Sequence, residues 1–132
     1  MTLHGSHNVD VLDNVAYDHY GHCFFLEDGG EKGNVFIGNL GIGTRKGLLT
    51  PSDNEPSTFW ITSPETTMVN NVAGGSDNND GVGIWYLFPD EPVGPSHNLS
   101  LYRYQRIGIF RSSIRRIYKF IYYSYINLMF GL

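Results

Sequence analysis

The chain has 132 residues, a formal net charge of −4, 41% hydrophobic residues, 16 glycines and one cysteine. That allows one small domain or a piece of a larger one; it argues against wholesale disorder and excludes an internal disulfide framework or a Cys-based zinc site. The mildly acidic total argues against nucleic acid as a partner, and no amino-terminal stretch joins a basic region to an apolar run, so no signal peptide is expected.

The total hides a division. Residues 1–97 carry all thirteen acids against Lys32, Arg45 and Lys46, a net −10, with 14 of the glycines and all six prolines. Residues 98–132 carry six bases and no acid, a net +6. Two segments, 1–97 and 98–132, are therefore read separately.

Along the first segment a triplet of Asn, aliphatic and small residue recurs: Asn14-Val15-Ala16, Asn39-Leu40-Gly41 and Asn71-Val72-Ala73. A short run of β-formers precedes each, at 9–12, 35–37 and 68–69. An aromatic-rich strand follows each past a turn: Cys23-Phe24-Phe25-Leu26, Phe59-Trp60-Ile61 and Ile84-Trp85-Tyr86-Leu87. The triplets lie 25 and 32 residues apart and the two tryptophans 25 apart, which reads as a 25-residue unit with residues 47–56 inserted in one copy. Gly, Pro, Asn and Asp break every run, and no window before residue 98 sustains helical spacing. Short strands at this period predict an all-β solenoid, a parallel β-helix with one coil per repeat. A small antiparallel sandwich is the other reading. In the solenoid, Asn14, Asn39 and Asn71 are expected to form a ladder of side-chain amides. Asn also tolerates the left-handed backbone that tight corners demand.

The string Asn14-Val15-Ala16-Tyr17-Asp18, then Gly21-His22-Cys23-Phe24-Phe25-Leu26-Glu27-Asp28-Gly29 with Glu31, Asn34 and Asn39-Leu40-Gly41, resembles the β-helix region of one protein group. That group comprises the cell-migration-inducing hyaluronidase (CEMIP), its transmembrane relative and fibrocystin-L. Pro56-Ser57-Thr58-Phe59-Trp60-Ile61, Asn70-Asn71-Val72-Ala73-Gly74-Gly75-Ser76, Gly83-Ile84-Trp85-Tyr86 and Pro92-Val93-Gly94-Pro95-Ser96 are similar to the same region in the same order. The resemblance implies a right-handed parallel β-helix, here three to four coils, within a large secreted or membrane-anchored extracellular protein. It also implies that this chain is a fragment lacking the caps that shield solenoid ends.

Two functions from different classes follow. One is binding or hydrolysis of an acidic glycosaminoglycan such as hyaluronan; the other is a non-catalytic cell-surface or coat module. For hydrolysis, which uses two carboxyl groups on one face, Glu27 pairs with Asp28 or Glu31, with His22 as a proton shuttle. Against this stands a plain turn at 27–30, with Asp28 bonding backbone N–H groups. A polyanion needs cations, and Lys32, Arg45 and Lys46 are the candidates for a binding strip, or else are simply solvated. Trp60 and Trp85 share a phase of the repeat and either stack in the core or offer a platform to sugar rings. Cys23 reads as a small buried hydrophobe. No cofactor is expected. Zinc is disfavoured because His4/His7 and His19/His22, at i, i+3, face apart on strands. The acidic loop at 74–81 fails both an EF-hand and a calcium nonapeptide pattern; its oxygen-rich side chains leave a polar turn or a single calcium site as the two readings.

The second segment does not continue the repeat. Asn98-Leu99-Ser100 has the form of a glycosylation sequon. Beyond it the composition reads either as translated non-coding sequence or as a basic amphipathic helix able to lie on an anionic membrane surface. It is too short and polar to span a bilayer.

Overall fold

The computed structural model describes residues 1–49, 51–76, 82–89 and 91–97. Within them are ten strands: β1 (Thr2–Leu3), β2 (Asp10–Leu12), β3 (Val15–Tyr20), β4 (Phe24–Leu26), β5 (Asn34–Ile37), β6 (Leu40–Arg45), β7 (Ser57–Ile61), β8 (Thr66–Val69), β9 (Val72–Gly74) and β10 (Val82–Tyr86). They form three sheets, ordered β1-β4-β7-β10, β2-β5-β8 and β3-β6-β9, and every pairing is parallel. Each coil contributes one strand to each sheet, and β10 opens a fourth coil. This is a partial parallel β-helix, as the repeat spacing predicts. Among the described residues no helix is long and apolar enough to cross a membrane.

The register accounts for both spacings. Val11 pairs with Phe36 and Phe36 with Met68. In the first sheet Phe24 pairs with Phe59, and Trp60 with Trp85. Tyr20 is followed four residues later by Phe24, whereas its partner Arg45 is followed fourteen residues later by Phe59. The second of these corners is therefore ten residues longer, and the insertion falls between β6 and β7; the next corner is three shorter, since Leu26 to Asn34 spans eight residues and Ile61 to Thr66 five, which leaves the seven between 25 and 32.

Inside the coils, Val11, Cys23, Phe24, Phe36 and Phe59 form the buried core, flanked by Leu3, Val9, Ala16, Met68, Ala73 and Ile84. Phe24 and Phe59 stack with centroids 4.7 Å apart. Fully burying one such side chain contributes roughly 1.5–3 kcal/mol. The small third residue of the triplet has a steric cause: a Cβ on Gly41 would lie 2.2 Å from Cγ2 of Thr58 and 3.6 Å from Cε2 of Phe24.

The Asn column closes one corner. Nδ2 of Asn14 donates to Oδ1 of Asn39 (2.9 Å), and Nδ2 of Asn39 to Oδ1 of Asn71 (2.8 Å). The same oxygens also accept the backbone N–H of Asn14 and Asn39. Each amide additionally donates to a carbonyl: Asn14 to Leu12, Asn39 to Val11, Asn71 to Phe36. The left-handed backbone, however, belongs to the residue before each ladder Asn: Asp13 (φ 53°), Gly38 (φ 69°) and Asn70 (φ 52°). Further stacked left-handed positions are Asn8 with Gly33, and Asp18 with Gly43 and Gly75. Asn34, which lies outside the recurring triplet, is fully buried. Its Oδ1 accepts from Val9 N–H and its Nδ2 donates to the Ser6 carbonyl.

After β10 the chain returns to the first two coils. The Val93 N–H donates to the Asp28 carbonyl (2.8 Å), and Pro95 packs on Gly5. The residues at the centre of the calcium reading (77–80), the sequon Asn98-Leu99-Ser100 and the tail 98–132 lie outside the described residues.

Candidate functional site

The corner leaving β4 carries the predicted carboxylates. The Glu31 carboxylate is 1% exposed and accepts the N–H groups of Asp28 (2.9 Å) and Gly29 (2.7 Å). Glu31, and not Asp28, therefore closes this turn. The Asp28 carboxylate, 3% exposed, reaches instead to the preceding coil, where it accepts Gly5 N–H (2.5 Å) and faces Nδ1 of His4 (3.3 Å). The other ring nitrogen of His4 meets Glu27 at 2.9 Å. His4 thus bridges a partly exposed and a buried carboxylate. Its imidazolium can donate to both; its neutral ring, to one. His4 was not singled out as a functional residue in the sequence. Its place follows from the register, which pairs Leu3 with Leu26 and so sets His4 opposite Glu27, an offset of 23 that the 25-residue repeat does not give.

His22 lies at the other end of β4. Its Nδ1 accepts Ser57 N–H (3.2 Å), and its ring packs 4.1 Å from Trp60 and 5.0 Å from Phe25. It lies five positions before Glu27 with β4 between them, on the order of 15 Å away. The structure does not bring it to the Glu27–His4–Asp28 group.

Strand alternation turns Phe25, Trp60 and Trp85 away from the Phe24–Phe59 core. Trp60 and Trp85 stand 5.3 Å apart, and Phe25 meets Trp60 edge-on at 6.0 Å. Trp60 is nonetheless only 8% exposed, so much of this outward column is covered and Trp85 and Phe25 present its accessible rings.

The three cations fall at two corners. Lys32 enters β5, its Nζ 3.8 Å from Glu65. Arg45 ends β6 with its guanidinium on Asp18, and Lys46 follows it. On the inner side of the third sheet, Nε2 of His19 bonds Oγ1 of Thr44 (2.8 Å), which bonds Oγ1 of Thr58 (2.6 Å). Burial, reinforced by the Met1 ammonium and opposed by Asp18, holds the His19 pKa below its ordinary value. Burial pushes the Cys23 thiol up, away from thiolate chemistry. Among the described residues no group of three or more His, Cys, Asp or Glu side chains could hold a metal ion.

The sequence matches the family described as CEMIP beta-helix over residues 1–56 and again over 51–124. It is 37% identical over 126 residues to the cell surface hyaluronidase CEMIP2 of Homo sapiens, covering 76% of this chain and 9% of that protein. It is 35% identical over 121 residues to the cell migration-inducing and hyaluronan-binding protein of Homo sapiens, covering 73% of this chain and 9% of that protein. Against fibrocystin-L of Homo sapiens it is 37% identical over 103 residues, covering 76% of this chain and 2% of that protein.

The chain belongs to the CEMIP β-helix family.

The chain therefore spans no more than about a tenth of the length of these relatives. The second family match extends past the described residues, into the basic segment. What the CEMIP β-helix contributes here is a rigid frame. Equivalent corners stack, so side chains from residues about 25 apart in sequence, such as His4 and Glu27 or Asp18 and Arg45, meet in space.

Proposed function

We propose that this chain forms part of the wall of an extracellular or cell-surface β-helix that binds an acidic glycosaminoglycan of the hyaluronan type. The names of its relatives, cell surface hyaluronidase and hyaluronan-binding protein, support that choice of ligand. The geometry at the β4 corner favours binding over cleavage. Glycoside hydrolysis takes two carboxyl groups facing one bond. Asp28 and Glu31 are buried and already accept backbone N–H groups, which leaves Glu27 as the one solvent-accessible carboxylate of the corner. In this reading membrane attachment belongs to other parts of the parent protein.

Hydrolysis is the second reading, and the Glu27–His4–Asp28 chain is the observation in its favour. There Asp28 orients His4, and Glu27 is the acid or base.

One experiment separates them. The 132-residue chain is incubated with end-labelled hyaluronan, then followed by co-elution and by polymer length. Co-elution at unchanged length is expected. Absence of co-elution counts against binding. Shortened polymer, abolished by Glu27→Gln, replaces the first reading with the second.

A further inference from the structure

The exposed face of the third sheet carries a feature that the two readings above do not use. Tyr17 and Tyr20 lie on β3 with exposures of 77% and 71%. Residues three apart on a regular strand face opposite sides. Here the left-handed Asp18 (φ 53°), stacked over Gly43, interrupts the alternation. His19 then turns inward to Thr44, and both tyrosines face out. Their Cα atoms lie at most about 10 Å apart along the strand. Across the ladder, Tyr17 pairs with Ile42 and Tyr20 with Arg45. The Arg45 guanidinium lies on the Asp18 carboxylate between these rings in sequence, both side chains close to half exposed.

We infer that Tyr17, Tyr20 and Arg45 form a binding strip for a uronate-containing polysaccharide, with Asp18 as the internal carboxylate that the ligand displaces. The inference rests on the binding reading and deepens it by naming where the polymer lies. Two phenol rings on one open face offer flat apolar surfaces with polar tips, the chemistry that a sugar ring's C–H face and hydroxyls meet. The guanidinium fork beside them matches a carboxylate in two-point geometry. Asp18 already pairs with that guanidinium, at Nε. It holds the guanidinium in place and also repels an incoming polyanion, so the strip is restrained by its own acid.

Asp18→Asn separates this arrangement from a merely structural pair. Asn tolerates the left-handed backbone at that position, so the corner survives while the competing charge goes. The test is fluorescence anisotropy of a labelled hyaluronan decasaccharide with the full 132-residue chain, at two salt concentrations. Tyr17→Ala and Tyr20→Ala each weaken binding about two- to tenfold. Arg45→Ala weakens it about two- to fivefold and flattens the salt dependence. Asp18→Asn strengthens it about two- to fivefold, a gain that misfolding cannot mimic. Thr67→Ala, on the outer face of β8, leaves it unchanged. If the wild-type chain binds but the tyrosine and Asp18 variants match it, the strip is overturned and the binding reading stands. If the wild-type chain binds nothing, both fall.

Discussion

At the residue scale, two glycines in the second coil are fixed for different reasons. Gly38 has φ 69°, and the one close clash of an added Cβ would be with Oδ1 of Asp13, the end of an exposed side chain that can swing away. Gly41 has an ordinary φ, but its Cβ position is filled by Cγ2 of buried Thr58, whose hydroxyl is tied to Thr44. Gly38→Ala should therefore cost about 1–2 kcal/mol through the backbone and gain nothing from Asp13→Ala. Gly41→Ala should cost about 1–3 kcal/mol through overpacking. Thr58→Ser, which removes the methyl and keeps the hydroxyl, should recover most of it. Urea unfolding of the four single and two double variants reads both cycles. The contrast also marks what the sequence revealed. The ladder of Asn14, Asn39 and Asn71 was legible because one residue type recurs at one phase. The left-handed column beside it was not, because Asp13, Gly38 and Asn70 solve the same backbone problem with three residue types. Assigning that conformation to the ladder Asn put it one residue too late.

At the element scale, the corner from β4 to β5 joins three structural roles in five residues. Glu27 points out to His4, Asp28 ties this coil to the one before it, and Glu31 satisfies the turn's own N–H groups. The sequence showed a dense acidic turn and could not separate these roles. Burial and hydrogen-bond direction distinguish the three carboxylates, and both depend on the neighbouring coil. The insertion between β6 and β7 was legible, because it appears as a lengthened spacing between repeats. That Lys32 sits beside the acidic turn and Arg45 and Lys46 at the start of the insertion was legible too; the partners Glu65 and Asp18 were hidden, because they lie on neighbouring coils. Glu31→Ala orphans two buried donors at about 1–3 kcal/mol each. Within a total of about 5–15 kcal/mol, that brings the chain close to unfolding. Glu31→Gln keeps one acceptor and should lose about half as much, while Glu27→Gln, at an exposed pair, should change stability by less than about 1 kcal/mol. Thermal and urea midpoints of the three variants check the order. Equal losses at Glu27 and Glu31 would contradict the assigned roles.

At the scale of the whole molecule, a solenoid buries apolar surface only between neighbouring coils, while its charges lie along the outside. Residues 1–97 carry a net −10. Added salt should raise the melting temperature by screening that self-repulsion, since the Debye length falls from about 30 Å at 0.01 M to about 8 Å at 0.15 M. A separate pH effect comes from His19, which links β3 to β6 and, through Thr44, to β7. Its pKa lies below 6.5 in the folded chain, chiefly through burial and secondarily through the Met1 ammonium, with Asp18 opposing. Below pH 6.5 the unfolded chain binds more protons at this site than the folded one, so stability falls as pH drops from 6.5 towards the depressed folded value. Above 6.5 both states are neutral there and the contribution is flat. Melting curves between pH 7.5 and 5.5 stay above the range where ordinary carboxylates titrate. Over that interval the wild-type chain should lose stability relative to His19→Gln, whose amide can still bond Thr44 but does not titrate. The salt response should be the same in both proteins, because removing a neutral imidazole leaves the acidic exterior untouched. Parallel pH profiles for the two would mean that His19 is not held neutral by its surroundings, and the interior His19–Thr44–Thr58 chain would have to be redrawn.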